Sequence, residues 1–242
     1  MTYRLRVLDL FAGLGGWHAG FRDRGYTDIT TLDSGVDGDF AVDFKNDILD
    51  VRDLAELEGG GGRFDVILAS PPCTAFSVAA MGKNWERTSD GRGIKGPKHP
   101  RAELGMRVAS HTFALIDAYA PRYYVVENPI GALRVMPFVL SRRDRRSTWY
   151  CQWDDRRPGI ALPRAKPTDL WTNLRGDFPV CRQGGDDHEA APRGAKTGTQ
   201  GLKDAAHRSL IPYALSVAVA VACENDGVVR APVGEVFGLW TA

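Results

Sequence analysis

The stretch Arg6-Val-Leu-Asp-Leu-Phe-Ala-Gly-Leu-Gly-Gly-Trp17 decides the fold of this chain. Its first half is a short apolar run that stops at glycines, and residues 17–24 then have helical spacing. The order predicts a strand, a glycine turn and a helix. Such a turn lets the backbone approach a ligand closely, and the helix offers free amides. A dinucleotide, a nucleoside cofactor and plain tight packing all suit it.

The same alternation continues through the first half of the chain. Residues 28–32, 64–69 and 123–126 are predicted strands, and residues 52–58 and 111–119 are predicted helices. This order predicts an α/β fold with a doubly wound, mostly parallel sheet, in which ligands bind at the carboxyl ends of the strands. The unusual residues fall at those ends: Gly13 to Gly16, Asp33, Ser70 to Cys73, and Glu127 with Asn128.

Three regions follow from the changes in pattern. Residues 1–150 form the main domain, residues 151–207 a small irregular segment rich in glycine, proline and charge, and residues 208–242 carry a helix, at 211–223, that returns to the main domain. The longest apolar stretch, 210–223, contains Pro212 and falls short of the roughly 20 residues that a membrane span requires. With no signal-like start, we predict a cytoplasmic protein without a membrane partner.

Composition sets further limits. The 242 residues are 43% hydrophobic and 25% charged, as in ordinary globular proteins, and the net charge of +1 excludes a global basic field. Any polyanion must therefore meet local patches. The four cysteines form no Cys-x-x-Cys pair, which argues against a disulfide framework. Cys181, His188, His207 and Cys223 are too irregularly spaced for a zinc site, so we predict no metal.

The second informative stretch is Ser70-Pro-Pro-Cys-Thr-Ala-Phe-Ser77. A cysteine just past a strand, on a backbone stiffened by two prolines, is well placed for nucleophilic attack. Most single cysteines are inert core residues, but such a residue needs no rigid loop with polar flanks. We therefore interpret Cys73 as a nucleophile.

The third stretch is Val125-Val-Glu-Asn-Pro129. A carboxyl group at the end of an apolar strand is partly desolvated, which would let Glu127 carry a proton near neutral pH. An acidic residue at a strand end is otherwise a helix cap or a solvated turn. Asn128 can anchor the neighbouring loop or act as a plain cap.

Together, Asp9-Leu-Phe-Ala-Gly-Leu-Gly-Gly16, Ser70-Pro-Pro-Cys73 and Glu127-Asn-Pro129 resemble the signature motifs of cytosine-5 DNA methyltransferases, particularly the short phage-type members. The match spans about residues 7–131, and stretches at 166–173 and 208–212 resemble later segments of short members. The resemblance implies the Rossmann-like methyltransferase fold, S-adenosylmethionine as cofactor with S-adenosylhomocysteine as product, and carbon 5 of cytosine in duplex DNA as target. Restriction protection, phage evasion and regulation are all compatible roles.

The resemblance also implies a mechanism. Cys73 adds as a thiolate to carbon 6 of cytosine while Glu127 donates a hydrogen bond or proton to ring nitrogen 3. Carbon 5 then takes the methyl group, a base removes its proton, and Cys73 leaves. The residues implied at the cofactor are Asp9, Phe11, Ala12, Gly13, Gly15, Gly16, Asp33 on ribose, Asp47 and Ile48 on adenine, and Pro71.

Cytosine in a duplex must be flipped out before a thiol can reach carbon 6. The residues predicted to contact DNA are Pro72, Ser77, Lys83, Arg156, Arg164 and Lys166. The basic, glycine-rich stretch 81–101 is interpreted as a mobile loop over phosphates, although a solvated surface loop explains it too. The run Arg142-Arg-Asp-Arg-Arg146 is a second candidate phosphate contact.

The chain departs from the family pattern at two places. Pro129 replaces a valine, and Gln152-Trp-Asp-Asp-Arg156 keeps only the ends of the family's Gln-x-Arg-x-Arg strand. The segment 151–207 is the predicted target-recognition region, and its shortness indicates low specificity or a protein partner that supplies it. We predict a monomer. Three alternatives stay open: the same reaction on transfer RNA, a catalytically silent nucleic-acid-binding protein, and a nicotinamide oxidoreductase supported only by the glycine turn.

Overall fold

The computed structural model describes residues 5–35, 41–90, 93–153, 165–181 and 209–230. The strands are β1 (Val7–Leu10), β2 (Ile29–Leu32), β3 (Val66–Ala69), β4 (Trp85–Arg87), β5 (Ile94–Pro97), β6 (Tyr123–Pro129), β7 (Arg145–Trp149), β8 (Pro167–Thr172), β9 (Arg175–Gly176) and β10 (Val228–Val229). The helices are α1 (Gly16–Asp23), α2 (Val78–Asn84), α3 (Pro100–Tyr119), α4 (Pro137–Leu140) and α5 (Tyr213–Glu224). Short 3₁₀ helices lie at Ile48–Asp50, Leu54–Leu57, Cys73–Ala75, Ala132–Val135 and Tyr150–Trp153.

Six strands form the central sheet, in the order β2-β1-β3-β6-β8-β7. The first four are parallel, whereas β8 runs antiparallel to β6, and β7 antiparallel to β8. This confirms the predicted doubly wound, mostly parallel α/β sheet. The strand order reverses between β1 and β3, and such a switch point is where sheets of this kind bind ligands. The ends of β1, β2, β3, β6 and β7 and the start of β8 share one rim, called the carboxyl-end rim below.

Apolar side chains cover both faces of the sheet. Because neighbouring strand residues point to opposite faces, Val7, Val66 and Leu68 pack with α1 and α5, while Leu8 and Ile67 pack on the side of α3. The two layers on opposite faces are those of a doubly wound fold. The strands that lead to the carboxyl-end rim are therefore packed on both faces.

Helix α5 packs directly on α1. The Ser216 hydroxyl accepts a hydrogen bond from the Gly20 amide at 2.9 Å and donates one to the Trp17 carbonyl, and Arg24 pairs with Glu224. A β-carbon on Gly20 would lie only 2.4 Å from the Val217 backbone nitrogen. Only glycine fits this crossing without moving α5.

We expect Gly20→Ala to lower the free energy of unfolding by about 1–3 kcal/mol, because the new methyl group must push two backbones apart. Urea denaturation at fixed pH measures it. Gly82→Ala in α2 is the matched control, since nothing lies within 4 Å of its added β-carbon. That control should be neutral or stabilising by up to about 1 kcal/mol, and equal losses for both variants would contradict the packing argument.

Three predicted features differ from the structure. The helix predicted at residues 52–58 is shorter and is a 3₁₀ helix, Leu54–Leu57. The predicted loop 81–101 contains the end of α2, the β4–β5 hairpin and the first residues of α3. Strand β8 of the central sheet lies inside the range 151–207 that was predicted to be irregular.

The sequence pattern predicts only the second half of α3, because the buried face of its first turns is made of small residues. Pro100 occupies the first turn, where its missing N–H costs nothing, and His99 Nδ1 accepts a hydrogen bond from the Arg101 amide at 3.1 Å. Ala102 is buried, and a β-carbon on Gly105 would lie 2.4 Å from that of Ala75. The helix thus passes too close to Cys73–Ala75 for large apolar residues to mark its face.

No helix in the described ranges combines the length and the apolar character that crossing a lipid bilayer would require.

Candidate active site at the carboxyl-end rim

The glycine turn after β1 is built from left-handed backbone. Phe11, Gly13 and Gly15 have φ angles of 64°, 50° and 78°, and Phe11 holds this conformation although it is not glycine. Backbone strain at a non-glycine residue concentrates at functional sites. A β-carbon on Gly13 would meet only the Phe11 carbonyl oxygen, at 3.8 Å, so the space beside the turn is open.

Asp33, at the end of β2, closes this turn. Its Oδ2 accepts a hydrogen bond from the Gly13 amide at 3.0 Å, and its Oδ1 accepts one from the Gly35 amide at 2.8 Å. Each carboxylate oxygen keeps a further acceptor position. The structure thus brings together two of the predicted cofactor residues, and Asp33 can still accept from a ligand hydroxyl.

Asp9 is buried beneath the turn and does not face an open surface. Its Oδ2 lies 2.7 Å from His18 Nδ1 of α1, and its Oδ1 has no hydrogen-bond partner among the described residues. Burial raises the pKa of Asp9 above its ordinary value, and the hydrogen bond from His18 opposes part of that rise. His18 was missed because a single histidine on a helix face gives no sequence signal.

Several other residues predicted at the cofactor have different surroundings. Ile48 is buried in the core, and exposed Asp47 caps its own 3₁₀ helix by accepting from the Leu49 amide. Ala12 is also buried, and a β-carbon on Gly16 would lie 2.7 Å from the Ile211 nitrogen, so Gly16 permits close packing. The side chains of Ile48 and Asp9 and the α-carbon of Gly16 therefore present no surface to a ligand.

Cys73 lies just past β3, on the rim. It begins the 3₁₀ helix Cys73–Ala75 and is partly exposed, whereas Cys151, Cys181 and Cys223 are buried. Before it, Trp17 Nε1 of α1 donates to the Ser70 hydroxyl at 2.9 Å. The Cys73 loop is thus fastened to the helix that follows the glycine turn.

Asn128 ties the Cys73 loop to the end of β6. Its Nδ2 donates to the buried Pro71 carbonyl at 2.9 Å, and the Ala132 amide donates to the Phe76 carbonyl at 2.7 Å. A β-carbon on Gly131 would lie 2.0 Å from that Phe76 oxygen, so glycine is required for the approach. The contact predicted between Asn128 and this loop is present, and Pro72 beside it is exposed.

Glu127 is buried at the end of β6 in a polar cluster. Its Oε1 accepts a hydrogen bond from the Tyr150 hydroxyl at 2.9 Å and pairs with Lys166 Nζ at 3.1 Å. Lys166, predicted to contact the cytosine, is buried against this carboxylate, and its charge compensates that of Glu127. Tyr150 was missed, because neither its spacing nor its flanking residues connect it with Glu127.

A cleft adjoins the Cys73 loop. It has a volume of about 310 Å³, and Thr74, Ser77, Lys83, His99 and Arg101 are among the residues that line it. Two exposed cations, Lys83 and Arg101, therefore line a cleft that also contains Thr74, the residue after Cys73. Predicted Arg156 and Arg164 lie outside the described residues.

The charged run at 142–146 does not lie at this rim. Arg142 pairs with Asp117 and Asp144, and Arg145 begins β7 opposite Trp171, at the end of the strand remote from the rim. Arg142 and Asp144 of the run therefore form ion pairs near the end of β7 that is remote from the rim, whereas Arg143, Arg145 and Arg146 are exposed. The Arg142 guanidinium is occupied by the carboxylates of Asp117 and Asp144, and a phosphate contact by the run stays a prediction.

Within the described part of the chain, no group of three or more histidine, cysteine or acidic side chains could hold a metal ion. Cys181 lies beside Cys151, and Cys223 belongs to the core around α5.

The rim thus combines a strained glycine turn, a partly exposed cysteine at the switch point and a buried glutamate, the features of an α/β enzyme that uses a nucleotide-like cofactor. The family model for the C-5 cytosine-specific DNA methylase matches residues 5–133, more than half of the chain. The chain belongs to this family.

Three relatives illustrate the similarity. "Probable DNA (cytosine-5)-methyltransferase" of Frog virus 3 is 28% identical over 181 residues, which cover 72% of this chain and 73% of the relative. Type II methyltransferase M.AplI of Arthrospira platensis is 35% identical over 133 residues, covering 54% and 33%. Type II methyltransferase M.DdeI of Desulfomicrobium norvegicum is 26% identical over 136 residues, covering 53% and 29%. The chain thus spans about a third of the two type II enzymes.

Proposed function

We propose that this protein transfers a methyl group from S-adenosylmethionine to carbon 5 of cytosine in DNA. The observation that carries the proposal is the hydrogen bond from Asn128 to the Pro71 carbonyl, which joins the loop of partly exposed Cys73 to the end of β6, where buried Glu127 lies. The names of the relatives, two of them type II methyltransferases, support DNA as the substrate.

The residues of the glycine turn fit the cofactor. The open space beside Gly13 would admit its methionine portion, and Asp33 retains acceptor positions for ribose hydroxyls. Phe11, partly exposed at the same turn, offers an aromatic surface to the adenosyl group. When bound, the cofactor supplies a methyl group on a cationic sulfur, whose departure as a neutral thioether favours transfer.

The chemistry on the base falls to two side chains. The Cys73 sulfur forms a bond to carbon 6, and the electron pair of the 5,6 double bond moves toward carbon 5 and the ring. For this step Glu127 takes up a proton and donates it from Oε2 to ring nitrogen 3, which offsets the negative charge that develops there. After methylation a base takes the proton from carbon 5, its electron pair re-forms the 5,6 double bond, and Cys73 leaves as a thiolate.

Contact with DNA is proposed for the cleft beside Cys73. Lys83 and Arg101 would hold phosphates flanking a flipped-out cytosine, with Ser77 at the mouth of the cleft. The segment 151–207, apart from β8, stays the proposed target-recognition region. Phosphate contacts position the strand and carry no sequence information, so selectivity must come from elsewhere.

Bisulfite sequencing of DNA from cells expressing the protein tests the proposal, because it covers every sequence context at once. New 5-methylcytosine should appear with the wild-type chain and be absent from cells expressing Cys73→Ser. Purified enzyme should transfer labelled methyl groups to duplex DNA and none to transfer RNA. Absence of new methylation, or methylation confined to transfer RNA, would overturn the proposal.

A further inference from the structure

Tyr150 forms a buried hydrogen bond with Glu127, the proposed acid. Its side chain is fully buried, and its hydroxyl lies 2.9 Å from Glu127 Oε1 and 3.0 Å from Lys166 Nζ. A lysine ammonium group only donates, so the hydroxyl must accept from Lys166. Its single proton is then directed at Glu127, giving a one-way chain from Lys166 through Tyr150 to Glu127.

Both contacts hold the same carboxylate oxygen. Tyr150 and Lys166 reach Oε1, whereas Oε2 makes no hydrogen bond to any residue that the structure describes. A carboxyl group fixed through one oxygen can rotate little, so its other oxygen keeps one direction. This is the arrangement needed to present Oε2 to a ring nitrogen.

The backbone fixes Tyr150 as firmly as its hydroxyl does. Tyr150 follows β7 directly, its amide donates to the Lys166 carbonyl at 3.1 Å, and Lys166 Nζ lies 4.2 Å from the centre of its ring. Lys166 immediately precedes β8, which pairs with β6 at Glu127. All three side chains are thus set by one antiparallel register.

We propose that Tyr150 is a positioning residue of the methyl-transfer reaction, which holds Glu127 Oε1 so that Oε2 faces the cytosine. The inference rests on the proposed function. It assigns a role to the antiparallel part of the sheet. The parallel strand β3 leads to the proposed nucleophile, Cys73, whereas Tyr150, directly after the antiparallel strand β7, supports the proposed acid, Glu127. Tyr150 does not touch the reacting atoms itself.

Tyr150→Phe removes only the hydroxyl. We expect kcat to fall about ten- to a hundredfold, the effect of losing one hydrogen bond to a charged group, while KM for cofactor and DNA changes less than about twofold. Tyr119→Phe is the matched control, because the Tyr119 hydroxyl donates to Glu58 at 2.6 Å in a partly buried tyrosine–glutamate pair away from the rim. That variant should keep kcat within about twofold of wild type.

A double-mutant cycle separates positioning from a general structural role. If Tyr150 acts through Glu127, Tyr150→Phe should cost less than about twofold in a Glu127→Gln background, since the two effects cannot add. Additive losses, an unchanged kcat for Tyr150→Phe alone, or a loss confined to KM would each overturn the inference. Wild-type inactivity on DNA would instead refute the proposed function, and this assignment with it. Urea unfolding of each variant identifies losses caused by instability.

Discussion

Replacing Cys73 with serine is expected to lower single-turnover methyl transfer by at least about a thousandfold, because a neutral hydroxyl adds to a pyrimidine far more slowly than a thiolate. The measurement is incorporation of labelled methyl groups into duplex DNA under enzyme excess. DNA that carries 5-fluorocytosine should trap the wild-type protein covalently, since fluorine at carbon 5 cannot leave as a proton does. The serine variant should form no such adduct.

The matched control is Cys223→Ala. Burial raises the pKa of the Cys223 thiol far above its ordinary value and that of Cys151 to about 12, so neither is a thiolate at neutral pH. Loss of Cys223 should therefore leave the rate unchanged at temperatures where the variant is folded. Labelling with iodoacetamide should also modify Cys73 first. Full activity of Cys73→Ser, or trapping without Cys73, would refute the assignment of the nucleophile.

A part of the site can be predicted from the sequence when all of its residues lie together on one short segment of the chain. The turn after β1, Cys73 after β3 and Glu127 at the end of β6 each follow an apolar run whose end can be recognised directly. Their meeting at one rim follows from the parallel alternation of strands and helices. The parallel strands β1, β3 and β6, and the candidate site residues at their ends, could therefore be predicted from the sequence alone.

The other parts of the site depend on contacts between residues that are far apart in the sequence. Tyr150 and Lys166 meet Glu127 only because β7 and β8 join the sheet antiparallel. The sequence pattern does not reveal β7, because the charged run 142–146 overlaps its first residues. Arg142 was interpreted as a phosphate contact because its partner Asp117 lies on α3, far away in sequence. Burial of Ile48 likewise depends on tertiary packing that no local pattern contains.

Replacement of Glu127 by glutamine tests the acid and its surroundings together. The side chain keeps its size and one acceptor oxygen, but it can no longer present a carboxyl group to ring nitrogen 3. We expect methyl transfer to fall about a hundred- to ten-thousandfold, the usual contribution of a positioned acid or base. The same change leaves Lys166 buried without its counter-charge, so stability should fall as well.

These two effects can be separated by comparing Glu127→Gln with Glu58→Gln. Glu58 also accepts a hydrogen bond from a tyrosine, Tyr119, but it lies outside the rim and has no lysine partner among the described residues. Glu58→Gln should keep full activity. If Glu127→Gln loses stability but transfers methyl groups at the wild-type rate below its unfolding temperature, the carboxylate serves only as the partner of Lys166. A loss of rate in a folded Glu127→Gln protein assigns the chemistry to the carboxyl group, because the remaining hydrogen bonds of the cluster can still form.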